Sequence, residues 1–537
     1  MTGYVPNQND YRIWREQRIK NLAENQDDRP DPWNKLISVV IDVQGNAAAG
    51  ALEATLESLL NQDWHNLEIT VFSGTEIGEV DPERFLKLRG IRFHRDQTIS
   101  DFFHHGPDKY EIRGDYVVVA TAGTIFYTSA FSALNHEIVQ SSSCAEPDLV
   151  LFDHEFCGEA GDQIAYPAFL PGFDPDFLLA EDYIGRGVLL NTDLFGLMTE
   201  RPNTLRHLLI AAAKANPRLV WRHVRDVLMS VPGQLPGSES EACPLASPSI
   251  GSQKGISVII PNKNRPELLQ QCITPLVTER EIREIIIVDN ASDSPKALDL
   301  YEFYKREYGT TIISMNQPFN FSRMINLGVE ASSSDIVLLL NNDVQLRQPG
   351  VLGQAIAAAS RPEVGIAGAK LLYPNFTVQH AGVLLDFHPL ENNVRAMHVG
   401  RGADCSSRGY LGQYAHPRNY QAVTGAFMML RRRVFDEVGG FDEVALPIEY
   451  NDIDFCLRVR EAGYRILCLP LEGVFHHESS SRGKSDTPTV IAMRNAAQGL
   501  MARRWLERFQ NDPYNHSVAR LGERAEVQFN FSGNFIG

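Results

Sequence analysis

Short blocks of Val, Ile and Leu recur along the chain, separated by segments whose apolar residues return every three or four positions. Ile37-Ser-Val-Val-Ile41 and Ile256-Ser-Val-Ile-Ile260 are two such blocks. Near-continuous apolar runs of this length suit strands of a parallel sheet covered on both faces, since neither side of the strand meets water. After each block comes an amphipathic stretch, Leu52 to Leu60 and Leu268 to Val277, and then a second apolar run, Leu67 to Phe72 and Ile285 to Val288. Further on, Asp115-Tyr-Val-Val-Val-Ala-Thr-Ala-Gly123 lines up with Asp335-Ile-Val-Leu-Leu-Leu-Asn-Asn-Asp343, and Ile184-Gly-Arg-Gly-Val-Leu-Leu190 with Thr424-Gly-Ala-Phe-Met-Met-Leu430. The matched segments keep nearly equal spacing. The pattern predicts one strand–helix–strand–helix–strand unit used twice.

The predicted organisation is a polar N-terminal arm over 1–34, a first α/β domain over 35–231 and a linker over 232–254. A second α/β domain over 255–484 and a helical C-terminal extension over 485–537 complete it. The linker is assigned from the Pro-, Gly- and Ser-rich composition of Pro232 to Ser252. A chain of 537 residues exceeds what one ordinary core accommodates, which agrees with two domains.

In parallel α/β sheets ligands sit beyond the carboxyl ends of the strands, so candidate chemistry is sought there. The first strand of the second copy ends in Pro261-Asn262-Lys263-Asn264-Arg265, and the next in Asp289-Asn290. A carboxylate at that second end can accept hydrogen bonds from a base or a ribose. The strand Ile336–Leu340 ends in Asn341-Asn342-Asp343, where an acid can hold a hard divalent ion against a diphosphate. A lone Asp after a strand is more often a turn or cap residue. Three polar ends on one sheet edge outweigh that reading. In the first copy Ser73 and Gly123 stand where the second has Asp289 and Asp343, so the fold alone does not demand these acids.

Downstream, Glu449-Tyr-Asn-Asp-Ile-Asp-Phe-Cys-Leu-Arg-Val-Arg460 opens a helix. Asp452 lies in its first turn, where a carboxylate is stabilised by the helix N-terminus; it is either a cap or a general base for an attacking hydroxyl. Asp454 and Arg458 are spaced to pair at i,i+4. Asp454 and Glu449 are second choices for the base. Past the next strand, His476-His477 offers an imidazole to a metal, and since adjacent side chains usually diverge, at most one of the two is expected to bind.

Net charge adds a restriction. At −17 the chain is a poor candidate for gripping nucleic acid through a broad basic surface. Residues 1–29 have no signal-type apolar run, no apolar stretch is long enough to span a membrane, and the cysteines show no metal spacing. These features point to a cytoplasmic protein, with peripheral attachment at the cytoplasmic face of the inner membrane as the alternative.

The second copy resembles the family 2 inverting glycosyltransferases of the GT-A fold, especially the rhamnosyltransferase-like enzymes of O-antigen and other bacterial surface-polysaccharide assembly. The residues that carry the resemblance run in family order: Ile259-Ile-Pro-Asn-Lys-Asn-Arg-Pro-Glu267, Ile287-Val-Asp-Asn-Ala-Ser292, Asn320-Phe-Ser322 with Asn326-Leu-Gly328, and Leu339-Leu-Asn-Asn-Asp-Val344. They continue through His380-Ala-Gly-Val383, Ala422-Val-Thr-Gly425, Gly439-Gly-Phe-Asp-Glu443, Tyr450-Asn-Asp-Ile-Asp-Phe-Cys-Leu-Arg458 and His476-His-Glu-Ser-Ser-Ser-Arg-Gly483. The resemblance implies two tandem GT-A-like domains of Rossmann-like, mostly parallel α/β type, the first degenerate and non-catalytic.

For the second domain it implies Asp452 as base, Asp343 and His476 as ligands of Mg²⁺ or Mn²⁺, and His477 as the alternative ligand. The donor would be held by Pro261, Asn262, Asn264, Arg265, Asp289, Asn290, Asn320, Asn326, Asn341, Asn342, Thr424 and Gly425. The expected reaction moves a sugar from a UDP-, GDP- or dTDP-sugar to a hydroxyl of a glycan or lipid-linked saccharide. The rival reading is a catalytically inactive scaffold of the same fold. A nucleotidyltransferase is disfavoured because Pro261-Asn-Lys-Asn-Arg265 has no glycine.

Overall fold

The computed structural model describes residues 8–24, 35–43, 49–74, 85, 88, 91–139, 145–157, 165–198, 201–233, 255–388, 393–477, 487–516, 519–521 and 527–529. The chain divides into two compact units. One comprises Met1–Glu241 with His516–Arg520 and Gln528–Gly537, the other Ala242–Asn515 with Leu521–Val527. Most of the predicted linker, 234–254, lies outside the described residues. No helix among the described residues is long and apolar enough to cross a membrane.

The second unit is built on a mixed eight-stranded sheet. In spatial order its strands are Thr311–Ser314, Ile282–Asp289, Ile256–Asn262, Ile336–Leu340, Phe427–Arg431, Val364–Ala369, Arg465–Leu469 and Arg418–Tyr420. The first four run parallel, and Phe427–Arg431 is antiparallel to both its neighbours. Side chains alternate across each strand, and the alternation sorts them into two cores. Ile259, Val288, Leu339 and Met428 join the core that also takes Met324, Ile325, Phe455 and Leu457 from the helices Phe321–Ala331 and Asn451–Glu461. Val258, Ile287, Leu338 and Phe427 join the opposite core, with Leu269, Ile273, Tyr301 and Leu352. Both faces are covered, which is why the strands read as unbroken apolar runs.

In the first unit the sheet order is Arg92–Arg95, Leu67–Ser73, Ile37–Val43, Tyr116–Thr121, Val188–Asn191, Leu149–Cys157, Trp221–Pro232, Ile125–Phe126. Its first seven positions repeat those of the second unit, including the antiparallel fifth strand. The repeat is therefore a repeat of topology. Gly123 sits at φ +96°, donates its N–H to Ala51 and to Thr55 Oγ1, and a Cβ there would lie 3.2 Å from Pro232. That turn does not accommodate a metal-binding acid.

Two terminal segments differ from the sequence expectation. Within the expected polar arm, Gln8–Glu24 is a helix belonging to the first unit. Tyr11 donates to Glu155 at 2.5 Å, Arg15 pairs with the same carboxylate at 2.6 Å and Arg18 with Asp226 at 2.5 Å. Its polar residues read as solvated because their acidic partners lie far along the chain. The expected helical extension is a helix over Pro488–Gln510 followed by two short paired strands, Ala519–Leu521 and Val527–Phe529.

The C-terminal helix is fastened to the second unit through Asp454, which is fully buried. One carboxylate oxygen accepts from Trp505 Nε1 at 2.9 Å and Arg504 at 3.2 Å, and the other from Arg458 at 2.8 Å. Removing a buried carboxylate strands its cationic partners at a cost of roughly 3–5 kcal/mol. Because Arg504 is 36% exposed, the lower end applies. Asp454→Ala is expected to destabilise the protein by about 3 kcal/mol in urea unfolding; a loss below about 0.5 kcal/mol would contradict the fastening role.

Candidate active site

The candidate site is assembled where the strand ends of the second unit meet. Asn342 Nδ2 donates to Asn262 Oδ1 at 2.5 Å, and Asn262 Nδ2 donates to the Tyr301 hydroxyl at 2.6 Å. Tyr301 in turn donates to Asp289 Oδ1 at 2.7 Å. Burial raises the Tyr301 phenol well above its usual pKa, so it stays a donor. Ser292 adds its hydroxyl and its N–H to the Asp289 carboxylate. Asn264, at φ +56°, accepts from the N–H groups of Asp293 and Ser294 and so ties the first strand-end loop to the second. Asn290 donates to the carbonyls of Met315 and Gln317. Pro261 is buried beside Asn262, while Arg265 is exposed at the head of the helix Pro266–Leu276. Three strand ends are thus held in one fixed edge.

Next to that edge lies a cavity of about 410 Å³ whose walls include Asn341, Asp343, Thr424, Gly425, Glu449, Asp452 and His476. Asp343 Oδ1 and His476 Nε2 face each other at 3.1 Å. The juxtaposition follows from strand register, because Val344 pairs with His476 across Val344–Leu346 and Val474–His476. His476 Nδ1 lies 2.7 Å from Gln379 Oε1, and Gln379 Nε2 reaches the His476 carbonyl at 3.5 Å. An amide oxygen only accepts, so Nδ1 carries the proton. Nε2 then turns a lone pair toward a carboxylate oxygen, and the gap calls for a proton or a cation. The 3.1 Å separation matches the roughly 3 Å between adjacent ligands of an octahedral ion bound at about 2.1 Å. A carboxylate and an imidazole braced by a neighbouring amide are therefore a donor set that fits a small divalent ion.

Asp452 lines the same cavity. Its Oδ2 accepts from the Gly425 N–H at 2.9 Å and its Oδ1 from the Ile453 N–H at 2.9 Å. A Cβ on Gly425 would sit 3.4 Å from the Asp452 Cβ, so the loop 422–425 packs close behind this carboxylate. Asn451, behind it, donates to Ser322 Oγ at 3.0 Å.

Several sequence-derived candidates have other work. Asp454, two residues from Asp452 on the same helix, points away from the cavity into its cluster with Trp505 and the arginines. His477 offers its backbone N–H to the Asp343 carbonyl, and its ring does not line the cavity. Asn320 caps the helix Phe321–Ala331 through the Arg323 N–H and donates to the Glu443 carbonyl. Asn326 both donates to and accepts from the Phe441 backbone. These two amides fix the Gly439–Glu443 loop and do not line the cavity. Glu449, the other second choice, does line it.

Sequence reasoning missed Tyr301, Gln379 and a histidine pair. His380 Nδ1 lies 2.9 Å from His398 Nδ1, and His398 lines the cavity. Burial, with His398 and His476 adding to it, holds the His380 imidazole well below its usual pKa. The motif His380-Ala-Gly-Val383 had marked the position without showing its partner.

Residues 257–439 match the model of glycosyl transferase family 2. Curated relatives include uncharacterized protein y4gI of Sinorhizobium fredii, 33% identical over 316 residues, 57% of this chain and 34% of that one. O-antigen biosynthesis protein RfbC of Myxococcus xanthus is 26% identical over 401 residues, 64% of this chain and 30% of the relative. The N-acetylglucosaminyl-diphospho-decaprenol L-rhamnosyltransferase of Mycobacterium tuberculosis is 26% identical over 178 residues, 32% of this chain and 56% of that enzyme. The chain spans about a third of the length of the first two relatives. The matched segment begins at the first strand of the second unit and contains Asp289, Asp343 and the Gly425 loop; residues 257–439 form a glycosyltransferase family 2 domain.

Proposed function

We propose that the second unit is an inverting glycosyltransferase that takes a sugar from a nucleoside-diphosphate donor and places it on a hydroxyl of a saccharide acceptor in polysaccharide biosynthesis. The observation that carries the reading is the placement of Asp343, His476 and Asp452 on one cavity, with the Asp289 edge beside it. The relatives named for O-antigen synthesis and rhamnosyl transfer support the same reaction class.

Asp289 is suited to the nucleoside, because its carboxylate is held in one orientation by Tyr301 and Ser292. Asp343 and His476 would hold a divalent ion, which when bound supplies positive charge to a leaving diphosphate. Asp452 keeps its carboxylate in place through the Gly425 and Ile453 N–H groups, and takes the proton from an acceptor hydroxyl entering the cavity. The hydroxyl oxygen forms the new bond to the anomeric carbon as the bond to the diphosphate oxygen breaks, with inversion. A direct displacement needs no covalent intermediate. The first unit, with Ser73 and Gly123 at the acidic positions, is read as a partner domain without transfer chemistry.

The register supports that division. Ile125 pairs with Ser230 and Phe126 with Met229, so continuing the ladder by one residue sets Thr124 opposite Val231. Val231 thus occupies the place that His476 holds in the second unit. An inactive scaffold would have no need of the Gln379 brace on His476 or of an acid fixed at Asp452.

Two outcomes test the proposal. Asp343→Ala is expected to abolish the Mn²⁺-dependent part of UDP, GDP or dTDP binding in calorimetry while leaving the fold intact; the same affinity with and without Mn²⁺ as in the wild type would reject the metal assignment. Asp452→Asn is expected to leave nucleotide-sugar binding within about twofold and to cut turnover about a hundredfold or more. An ordinary kcat in that variant would reduce Asp452 to a helix-terminal structural residue.

A further inference from the structure

The proton positions on the His380–His398 pair follow from its surroundings. His380 Nε2 receives the Gly382 N–H at 3.3 Å and the Thr424 N–H at 3.5 Å. A backbone N–H only donates, so Nε2 is an acceptor and the proton of the neutral imidazole sits on Nδ1. That Nδ1–H is directed at His398 Nδ1, 2.9 Å away. His398 Nδ1 must then accept, which leaves the His398 proton on Nε2, the ring nitrogen turned away from His380. The opposite assignment would bring a proton on His380 Nε2 against two backbone N–H groups. His380 is 1% exposed, so water does not relieve that conflict.

The same short strand, Val378–His380, orients two imidazoles of the cavity. Gln379 sets the tautomer of His476, leaving a lone pair on its Nε2. His380 sets the tautomer of His398 with the reverse result, an N–H. Successive residues thus turn one ring into an acceptor for a cation and the other into a neutral donor. Both rings line the cavity that holds Asp343.

We propose that His398 is a substrate-contacting residue that donates its Nε2–H to an oxygen of the nucleotide-sugar donor, and that His380 is the positioning residue that fixes this proton. The inference rests on the glycosyltransferase reading. It assigns His398 to the leaving-group side because His398 shares its orienting strand with the His476 brace. The oxygen belongs to the diphosphate or to the sugar, and both would be recognised by the same neutral donor. A neutral N–H contributes orientation without adding charge to a site where a cation and a diphosphate already balance.

The test combines a spectroscopic and a kinetic arm on the full chain. In ¹⁵N-histidine-labelled protein, ¹⁵N shifts are expected to report His380 protonated at Nδ1 and His398 protonated at Nε2. His380 protonated at Nε2, or His398 as an imidazolium at neutral pH, overturns the inference. For kinetics the probes are UDP-glucose, GDP-mannose and dTDP-rhamnose with Mn²⁺, read as release of nucleoside diphosphate. His398→Leu removes the donor and is expected to lower kcat/KM about tenfold, the scale of one lost hydrogen bond. His398→Gln, whose amide NH₂ reaches a similar place, is expected to stay within about threefold of the wild type.

Weaker binding of UDP alone in the leucine variant assigns the oxygen to the diphosphate; weakening confined to UDP-glucose assigns it to the sugar. Equal losses in both variants, or none in either, overturn the proposal. If Asp452→Asn turns over normally, the glycosyltransferase mechanism fails. If Asp452→Asn is inactive and His398→Leu is unimpaired, only the role of His398 fails.

Discussion

Everything at the site depends on the buried hydrogen-bond chain that runs from Asn342 through Asn262 and Tyr301 to Asp289. Parallel strands end independently, and nothing in a sheet ladder fixes the turns beyond it. The chain supplies that constraint. Each link is a buried donor matched to an acceptor, and breaking one would leave a polar group unsatisfied in a dry environment. The turn that carries Asp343 and the loop that carries Asp289 are therefore held in mutual register before any ligand arrives. Preorganisation of this kind spares a binding site the entropy of ordering its own loops.

The second constraint is the strand Phe427–Arg431, which runs antiparallel to both its neighbours in the middle of the sheet. Its reversal brings the loop 422–425 to the same edge as the ends of Ile256–Asn262 and Ile336–Leu340. Gly425 there presents a backbone N–H to Asp452, so the acid at the head of the helix Asn451–Glu461 is aimed by a strand far from it in sequence. The first unit keeps this reversed strand, Val188–Asn191, yet has Ser73, Gly123 and Val231 at the chemical positions. One scaffold thus appears with and without its charged groups, which separates what the fold needs from what the chemistry needs.

Much of this was legible in the sequence because it is local. Strands buried on both faces produce the unbroken runs at Ile256 and Ile336, and acids at their ends are visible wherever the run stops. The duplication was legible for the same reason. What the sequence concealed depends on long-range pairing. Tyr301 lies inside a helix and looks like a core aromatic; only its reach to Asp289 gives it a role. Gln379 and His380 acquire meaning from His476 and His398, which lie 97 and 18 positions away. The loop contacts of Asn320 and Asn326 were hidden for the same reason, since Phe441 and Glu443 lie more than a hundred positions away. The N-terminal helix misled in the same way, since Arg15 and Arg18 are read as solvated until Glu155 and Asp226 are placed beside them.

The central claim is that Asp452 and the Asp343–His476 pair act from different parts of one cavity in a single displacement. The most direct measurement is proton NMR of the anomeric centre as the protein cleaves a nucleotide sugar, recorded before the free sugar equilibrates. The account predicts that the first-formed sugar has the anomeric configuration opposite to that of the donor. A first-formed sugar that retains the donor's configuration would contradict it.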